Sequence, residues 1–506
     1  MSLATPEKIR ILQRKLYRKA KAEPAFRFYV LYDKIYREDI LRHGYALARA
    51  NAGAPGTDGM TFAAIEASGL DRWLAGLREE LISKTYRPDP VRRVMIPKPD
   101  GGERPLGIPT IRDRVVQAAA KLVLEPIFEA DFEDSAYGYR PARGAVDAVK
   151  EVHRHVCRGY TDVVDADLSR YFDSIPHDEL LKSVARRIVD RHVLRLIKLW
   201  LKAPIEERDD GDRTRRIGGG KSNARGTPQG GVASPMLANI YMNRFLKYWR
   251  LTGRGEAFRA HVVAYADDFV ILRRGRAAEA LAWTKAAMTR LGLTVNEAKT
   301  SLKNARQERF DFLGYSFGPH RYKANGKWYL SASPSKKSVQ RLKTKVGNLL
   351  VPGNNDPWPE VRDTLNSSLL GWSNYFCRGT CRSAFRSVDR YVYERVRDWR
   401  TRAPAPRTPA IHCTVVCPAV KPVGELDAGD RHVRFDEREW ETGRCQMAQV
   451  TAPILESTIN RRIARSQGTH QQLLSYRSRD RGEHAHCFSQ PIRAHFWVPI
   501  DSGSVD

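Results

Sequence analysis

The 506-residue sequence has few cysteines and no long apolar run. Its seven cysteines are odd in number and irregularly spaced, which argues against a secreted disulfide framework. No uninterrupted apolar stretch reaches the roughly 18–20 residues that span a membrane. The N-terminus also lacks the apolar segment of a signal peptide. These absences predict a cytoplasmic protein that does not associate with membranes.

Residues 401–506 lack several features of the preceding chain. They contain one lysine and four leucines, and 14 Lys and Arg against 12 Asp and Glu. This change predicts a boundary near residue 400. The segment contains no paired CxxC motif, although Cys413, Cys417, Cys445 and Cys487 lie among several histidines. A zinc site, disorder and a shifted or degraded terminus all remain open for this divergent tail, and we expect no nuclease there.

Positive charge is what the chain has in excess. It carries 86 Lys and Arg against 58 Asp and Glu, a formal net charge of +28. Such an excess indicates a polyanionic partner, most simply nucleic acid. Ribosomal proteins and basic membrane-surface proteins share this balance, so charge indicates the class of partner but no reaction.

Two adjacent carboxylates, Asp267 and Asp268, interrupt an apolar and β-branched stretch, His261–Leu272. This pattern predicts a hairpin with the acidic pair at its tip. Neighbouring carboxylates repel each other, and a bound cation relieves that repulsion. Oxygen ligands favour Mg²⁺ over zinc or copper. A solvated turn is the competing interpretation.

A third carboxylate lies on another predicted strand. Alternation along Thr161–Ile175 puts Asp165 and Asp167 on one face. From Asp162 onward we predict strand, helices, strand, strand, helix, strand, which is the split βαβ plan of an antiparallel sheet backed by helices. That plan allows Asp167 to lie beside the acidic hairpin. Three aspartates in a basic chain suggest two-metal nucleotidyl transfer.

Other segments give simpler expectations. Lys98 and Arg104 flank a predicted hairpin turn and could clamp a triphosphate, or be solvated. We also predict a helix over about 61–84, one long helix from Glu179 to about Leu201, and an exposed loop over 205–225. A short strand should end near Lys299, and Phe310–Phe317 should form a single strand with a glycine inside it.

Six ordered segments carry a family resemblance: MIPKPDGGERPLGIP, DADLSRYFDSI, GTPQGGVASP, YADD, LTVNEAKTSL and FLGYSF. Together they resemble the reverse transcriptases encoded by bacterial group II introns, over about residues 56–399. The resemblance implies an α+β right-hand polymerase with an all-helical thumb or maturase domain. Its expected parts are a basic N-terminal extension (1–60), fingers (61–160), a palm (161–330, with 205–260 returning partly to the fingers), a thumb (331–400) and the tail (401–506).

The resemblance also implies roles for individual residues. Asp167, Asp267 and Asp268 would hold two Mg²⁺ ions, or Mn²⁺, with help from the Leu168 carbonyl. Phe172 would lie under the sugar and exclude a 2′-hydroxyl, and Lys299 would act as general acid near the pyrophosphate. Lys98 and Arg104 would contact the triphosphate, and Gln229 would lie near the incoming nucleotide. Leu313, Gly314 and Tyr315 would contact the primer.

The expected partners are an RNA template, a DNA primer, dNTPs, the chain's own intron RNA and target DNA. The expected function is reverse transcription, with a second role as a maturase that assists splicing and retrohoming. Two alternatives stay open: a stand-alone or defence-associated (CRISPR-type) reverse transcriptase, and a splicing-only maturase with a vestigial polymerase site. An RNA-templated RNA polymerase fits less well. The sequence does not predict the oligomeric state.

Overall fold

The computed structural model describes residues 3–97, 101–208, 214–220, 222–275, 277–322, 325–351, 353–354 and 356–402. Lys98 and the cysteines and histidines of the tail lie outside the described residues. The described chain mixes helices with largely antiparallel sheets and has an α+β fold.

The first helices of the described chain share one core, which includes the buried helix α6. These helices are α1 (Glu7–Ala22), α2 (Tyr32–Ile35), α3 (Glu38–Ala50), α4 (Phe62–Ser68), α5 (Leu70–Ile82) and α6 (Ile111–Glu129). Apolar residues of α1 and α3, such as Ile9 and Ile40, join the same core as Val115 and Val123 of α6. The single helix predicted over 61–84 is wrong, because Gly69, at φ 94°, separates α4 from α5.

A four-stranded sheet lies next along the chain, in the order β2-β1-β4-β5. Its strands are β1 (Val91–Pro97), β2 (Glu103–Ile108), β4 (Ile205–Arg208) and β5 (Thr214–Gly218). The exposed loop predicted over 205–225 is therefore wrong where the two strands β4 and β5 form. β4 pairs in parallel with β1, so this segment returns to the predicted Arg104 hairpin.

The central sheet has the order β6-β7-β3-β8 and is antiparallel throughout. Its strands are β3 (Asp162–Ala166), β6 (Ala260–Tyr265), β7 (Asp268–Arg273) and β8 (Ser301–Asn304). The two middle strands, β3 and β7, are the ones that carry or precede the predicted carboxylates. Their apolar residues, such as Val163 and Ile271, are fully buried.

The described residues between 145 and 290 form seven helices: α7 (Ala145–Cys157), α8 (Tyr171–Ser174), α9 (His177–Ala185), α10 (Arg191–Leu201), α11 (Ser234–Leu251), α12 (Arg254–Ala257) and α13 (Ala277–Arg290). The long helix expected over Glu179–Leu201 is wrong. Asp190 interrupts it, since its side chain caps α10 by accepting hydrogen bonds from the backbone N–H groups of His192 and Val193.

The C-terminal described part combines a three-stranded sheet with three helices. The sheet, ordered β11-β10-β9, contains β9 (Phe310–Phe312), β10 (Tyr315–Arg321) and β11 (Trp328–Pro334). The helices are α14 (Lys336–Leu349), α15 (Trp358–Tyr375) and α16 (Arg382–Arg402). The single strand predicted over Phe310–Phe317 is wrong: Leu313 and Gly314, at φ 49° and 79°, form a tight turn between β9 and β10. Among the described helices, none combines the length and apolarity needed to span a bilayer.

Candidate active site

The acidic pair lies at the end of the β6–β7 hairpin. Tyr265 pairs with Asp268, so Ala266 and Asp267 form the two-residue turn and Asp268 begins β7. Ala266 has a φ of 57°, a left-handed conformation that costs a residue with a Cβ about 1 kcal/mol. The turn therefore stores strain where the carboxylates are presented.

Strand register brings the third carboxylate to this turn. In the β3–β7 pair, Ala166 is opposite Phe269, so Asp167, the residue that follows β3, comes near the level of Asp268. Carboxylates 100 residues apart in sequence thus lie at the same end of the sheet. This end is the centre of the candidate site.

Asp167 is held by a segment that follows α13. Asn296 donates from its side-chain amide to Asp167 Oδ2 at 3.2 Å, and from its backbone N–H to the Asp167 carbonyl at 2.8 Å. The Asp167 N–H donates to Thr300 Oγ1 at 3.3 Å. Leu168 forms an isolated antiparallel bridge with Val295, in which the hydrogen bonds are made by the residues on either side of each. The Leu168 carbonyl takes part in neither of these bonds.

Burial and neighbouring charge raise the pKa of both members of the acidic pair. The Asp268 side chain is exposed, but protein atoms around its carboxyl partly desolvate it. This desolvation, with the negative charges of Asp267 and Asp167, raises its pKa to about 6. Burial and Asp167 also raise the pKa of Asp267. A bound cation would offset the repulsion and favour the ionised forms. In the metal-free protein, Asp268 lowers stability as pH rises from its unfolded pKa toward 6.

The acidic end of the sheet offers oxygen donors to a divalent cation, but other ligands would have to complete the site. Within the described residues, no three His, Cys, Asp or Glu side chains converge closely enough to enclose a metal ion. Mg²⁺ commonly uses only one or two carboxylates and takes its remaining ligands from water and substrate phosphates. Asp167, Asp267 and Asp268 supply oxygen donors of this kind.

Arg104 and Gln229 meet across 125 residues of sequence. Arg104 Nε donates to Gln229 Oε1 at 2.8 Å, and Gln229 also hydrogen-bonds the Asp173 carboxylate. The two backbones approach closely: a Cβ at Gly230 would lie 2.3 Å from the Gly107 carbonyl oxygen. Glycine is thus required for strand β2 to pack on the TPQG loop.

Arg104 lies near enough to Asp267 for its positive charge to offset part of the rise that burial causes in the pKa of that carboxyl. Lys98, its predicted companion, lies outside the described residues. The structure thus brings one cation of the predicted pair to the acidic end of the sheet.

Phe172 lies in the short helix α8 rather than at a strand end, because Arg170, at φ 45°, turns the chain after β3. Its ring is mostly buried, and its carbonyl accepts a hydrogen bond from the Thr227 N–H at 2.7 Å. This bond ties Phe172 to the same loop that carries Gln229.

The Lys299 side chain extends toward the Asp167 carboxylate. Its Nζ lies 3.8 Å from Asp167 Oδ2, and its side chain is 66% exposed. The strand expected to end near Lys299 is wrong: β8 begins after it, at Ser301. Lys299 lies instead in a turn closed by a hydrogen bond from its N–H to the Asn296 carbonyl.

The Leu313–Gly314 turn is held by the C-terminal helices. The Tyr375 hydroxyl donates to the Leu313 carbonyl at 2.8 Å, and the Ser338 hydroxyl donates to the Gly314 carbonyl at 2.9 Å. Tyr315 is fully buried and its hydroxyl donates to the Tyr375 carbonyl. Its side chain is thus a core group, and any primer contact at this turn falls to its neighbours.

Sequence reasoning missed the loop that supports the catalytic turn. The Tyr137 N–H donates to the Ala264 carbonyl at 2.8 Å, and the Ala264 N–H donates to the Ser135 carbonyl at 2.8 Å. A Cβ at Gly138 would lie 2.5 Å from the Ala266 nitrogen. The signal in the sequence is the glycine and aromatic residues of SAYGYRPARG, a composition that by itself indicates only a loop. Asn296 lies in the LTVNEAKTSL segment, whose pattern assigns it no role.

Comparison with known proteins agrees with this geometry. A family model described as reverse transcriptase (RNA-dependent DNA polymerase) matches residues 96–317, and one described as group II intron, maturase-specific domain matches residues 339–403. Protein YkfC of Escherichia coli (strain K12) is 35% identical over 342 residues, which cover 60% of this chain and 87% of YkfC. The chain belongs to the group II intron reverse transcriptase and maturase family. Its enzymatic class is therefore RNA-directed DNA polymerase, and its partners are RNA and other nucleic acid.

Two further relatives show how much of each protein is shared. The group II intron-encoded protein LtrA of Lactococcus lactis subsp. cremoris is 36% identical over 227 residues, 43% of this chain and 35% of LtrA. An uncharacterised 91 kDa protein in the cob intron of Schizosaccharomyces pombe is 27% identical over 403 residues, 65% of this chain and 48% of that protein. The chain thus spans about half or less of both relatives.

Proposed function

We propose that the chain extends a DNA primer on an RNA template by two-metal nucleotidyl transfer at the acidic end of the central sheet. The observation that carries this proposal is the register that brings Asp167 near the level of Asp268, with Arg104 close to Asp267 and bonded to Gln229. The carboxylates would hold metal ions, and the cation would contribute to binding a triphosphate.

Asp167, Asp267 and Asp268 would hold two Mg²⁺ ions, or Mn²⁺, with the Leu168 carbonyl as a further oxygen donor. When bound, the ions would supply activation of the primer 3′-hydroxyl and charge neutralisation of the leaving pyrophosphate. Asn296 and Thr300 keep Asp167 in position for this task through their hydrogen bonds.

The remaining side chains would orient the dNTP and move a proton. Arg104, together with Lys98, binds triphosphate oxygens, and the hydrogen bond from Arg104 orients Gln229 beside the nucleotide. Phe172 lies under the sugar and excludes a 2′-hydroxyl. Lys299 donates a proton from Nζ to the departing pyrophosphate.

We assign the polymerase parts as follows: residues 61–160 form the fingers and 161–330 the palm, with 205–260 returning partly to the fingers. Pairing of β4 with β1 supports that return. Residues 331–400 form the thumb. Leu313 and Gly314 of the palm, whose carbonyls bond Tyr375 and Ser338 of the thumb, act as the primer grip through their backbone.

The maturase domain gives the chain its role in RNA splicing. We infer that the exposed cations of α14 and α16 bind the chain's own intron RNA, and that target DNA is engaged during retrohoming. The match of residues 339–403 to the maturase-specific domain favours this assignment over a defence-associated enzyme.

The catalytic proposal is tested with the variant Asp267→Asn/Asp268→Asn. Incorporation of dNTPs on a primed RNA template should fall at least about 1,000-fold, because the metal-binding oxygens and their charge are lost. Mg²⁺ should raise the melting temperature of the wild type and not that of the variant.

Asp178→Asn, an exposed carboxylate on α9, is the matched control and should behave as wild type. Residual activity of the double variant near the wild-type level would contradict the mechanism. Inactive wild-type protein that still promotes splicing would instead favour the vestigial-polymerase alternative.

Phe172→Val should increase incorporation of NTPs relative to dNTPs about 10-fold or more, because removing the ring opens space for the 2′-hydroxyl. Competing single-nucleotide incorporation measures the ratio. Tyr171→Phe, at the adjacent buried ring, should leave it unchanged. Unaltered discrimination in Phe172→Val would reject its role as a sugar gate.

A further inference from the structure

The hairpin of β10 and β11 carries aromatic side chains that the catalytic site does not use. At its base, Tyr315 is fully buried in the core. Toward its tip burial falls, and three aromatic residues are 49%, 68% and 39% exposed: Tyr322, Trp328 and Tyr329. The hairpin therefore projects from the core and presents its aromatic residues at the free end.

Cations accompany these rings. Arg321 is directly opposite Trp328 in the strand register, so their side chains share one face of the hairpin. The Tyr322 N–H donates to the Lys327 carbonyl at 2.8 Å, which puts Tyr322 and Lys327 side by side at the turn. Arg321 and Lys327 are both exposed. Trp328 and Tyr322 thus each have a positively charged residue as a neighbour.

The surrounding sequence contains no negative charge. Residues 312–355 include eight Lys and Arg and no Asp or Glu. The stretch continues from the hairpin into α14, where Lys336, Lys337 and Arg341 are exposed. Charge of one sign along such a segment complements a polyanion and repels basic surfaces.

The hairpin tip also falls between the two family matches. The reverse transcriptase match ends at residue 317 and the maturase-specific match begins at residue 339. Neither shared pattern therefore accounts for aromatic residues at 322, 328 and 329.

We propose that the β10–β11 tip binds unpaired nucleotides of RNA. Trp328 and Tyr322 stack on bases, while Arg321 and Lys327 contact the adjoining phosphates. Flat rings stack on any base, and neighbouring cations neutralise the phosphates that accompany it. The proposal specifies a surface for the RNA partner of the proposed function but does not depend on catalysis by the aspartates.

Binding is tested with fluorescein-labelled oligouridine of about 30 nucleotides and a blunt RNA duplex of equal length. Trp328→Ala should weaken oligouridine binding about 5- to 10-fold, whereas Trp328→Phe keeps a stacking face and most of the affinity. Duplex binding should change less than twofold. Leu251→Ala removes another exposed apolar side chain, 71% exposed on α11, and should leave both affinities unchanged.

A second readout locates the contact. Oligouridine containing 5-bromouridine should cross-link under ultraviolet light to the tryptic peptide of residues 328–336. The Asp267→Asn/Asp268→Asn protein should give the same cross-link, so failure of the catalytic proposal leaves this test intact.

Wild-type binding by Trp328→Ala together with no cross-link in peptide 328–336 would overturn the proposal. Equal loss of duplex and oligouridine binding would also overturn it, because stacking requires unpaired bases. If Trp328→Ala changes only the sedimentation of RNA-free protein, the tip is a contact between copies of this chain and the proposal is wrong.

Discussion

At the scale of residues, the candidate site depends on unfavourable backbone conformations held by close neighbours. Ala266 in the catalytic turn and Tyr139 in the adjacent loop have φ values of 57° and 55°. The Asn239 side chain donates to the Gly138 carbonyl at 2.6 Å, and Gly138 lies against Ala266. Packing of the loop 135–142 on the hairpin thus maintains the strained turn.

Gly138→Ala tests this dependence. The new methyl group would meet the backbone of Ala266 and displace the acidic pair, so we expect kcat to fall about 10- to 100-fold. Steady-state kinetics with a primed RNA template measures the change.

Gly76→Ala is the matched control, since a Cβ there contacts nothing within 4 Å and lies in helix α5. It should keep full activity and gain up to about 1 kcal/mol of stability. Full activity in Gly138→Ala would mean that the loop does not position the turn.

At the scale of elements, the tight turn between β9 and β10 is the point where the C-terminal helices attach. Gly314 lies between Ser338 of α14 and Phe376, which follows α15. Its carbonyl accepts from the Ser335 N–H at 2.9 Å and from the Ser338 hydroxyl. One two-residue turn therefore contacts two of the three helices.

Gly314→Ala should cost about 2–3 kcal/mol of unfolding free energy. About 1 kcal/mol comes from the left-handed φ of 79°, and the rest from a Cβ only 2.9 Å from Ser338 Oγ. Urea unfolding measures the loss.

Gly253→Ala separates the two contributions, because Gly253 has a similar φ of 63° and no neighbour within 4 Å of a Cβ. It should lose only the backbone part. Equal losses in the two variants would show that Gly314 has no packing role.

At the scale of the whole molecule, the charge distribution determines how nucleic acid is held. The chain has a net charge of +28, and residues 401–506 contribute almost none of it. Each phosphate neutralised by Lys or Arg releases counterions into solution, which makes binding sensitive to salt.

RNA affinity should therefore fall steeply with salt, by about 1,000-fold or more between 50 and 200 mM if six or more phosphates are contacted. Filter binding across a salt series gives the slope. A chain ending at residue 402 should keep the same slope, because the removed segment is nearly neutral. A shallow slope would contradict extensive phosphate contact.

The sequence alone determined the chemistry of the site and the class of the fold. Acidic residues between apolar strands predicted the β6–β7 hairpin, because alternation is local and turn residues tolerate charge. The order of motifs indicated the family that the comparisons show.

Tertiary structure alone decided which residues meet. The register of β3 on β7 puts Asp167 at the level of Asp268, and the packing of glycines lets Arg104 reach Gln229. The supporting roles of Gly138 and Asn296 also appear only there, because a backbone approach leaves no periodic signal in sequence. Hydrophobic patterns specify which face of an element is buried, but not which distant element covers it.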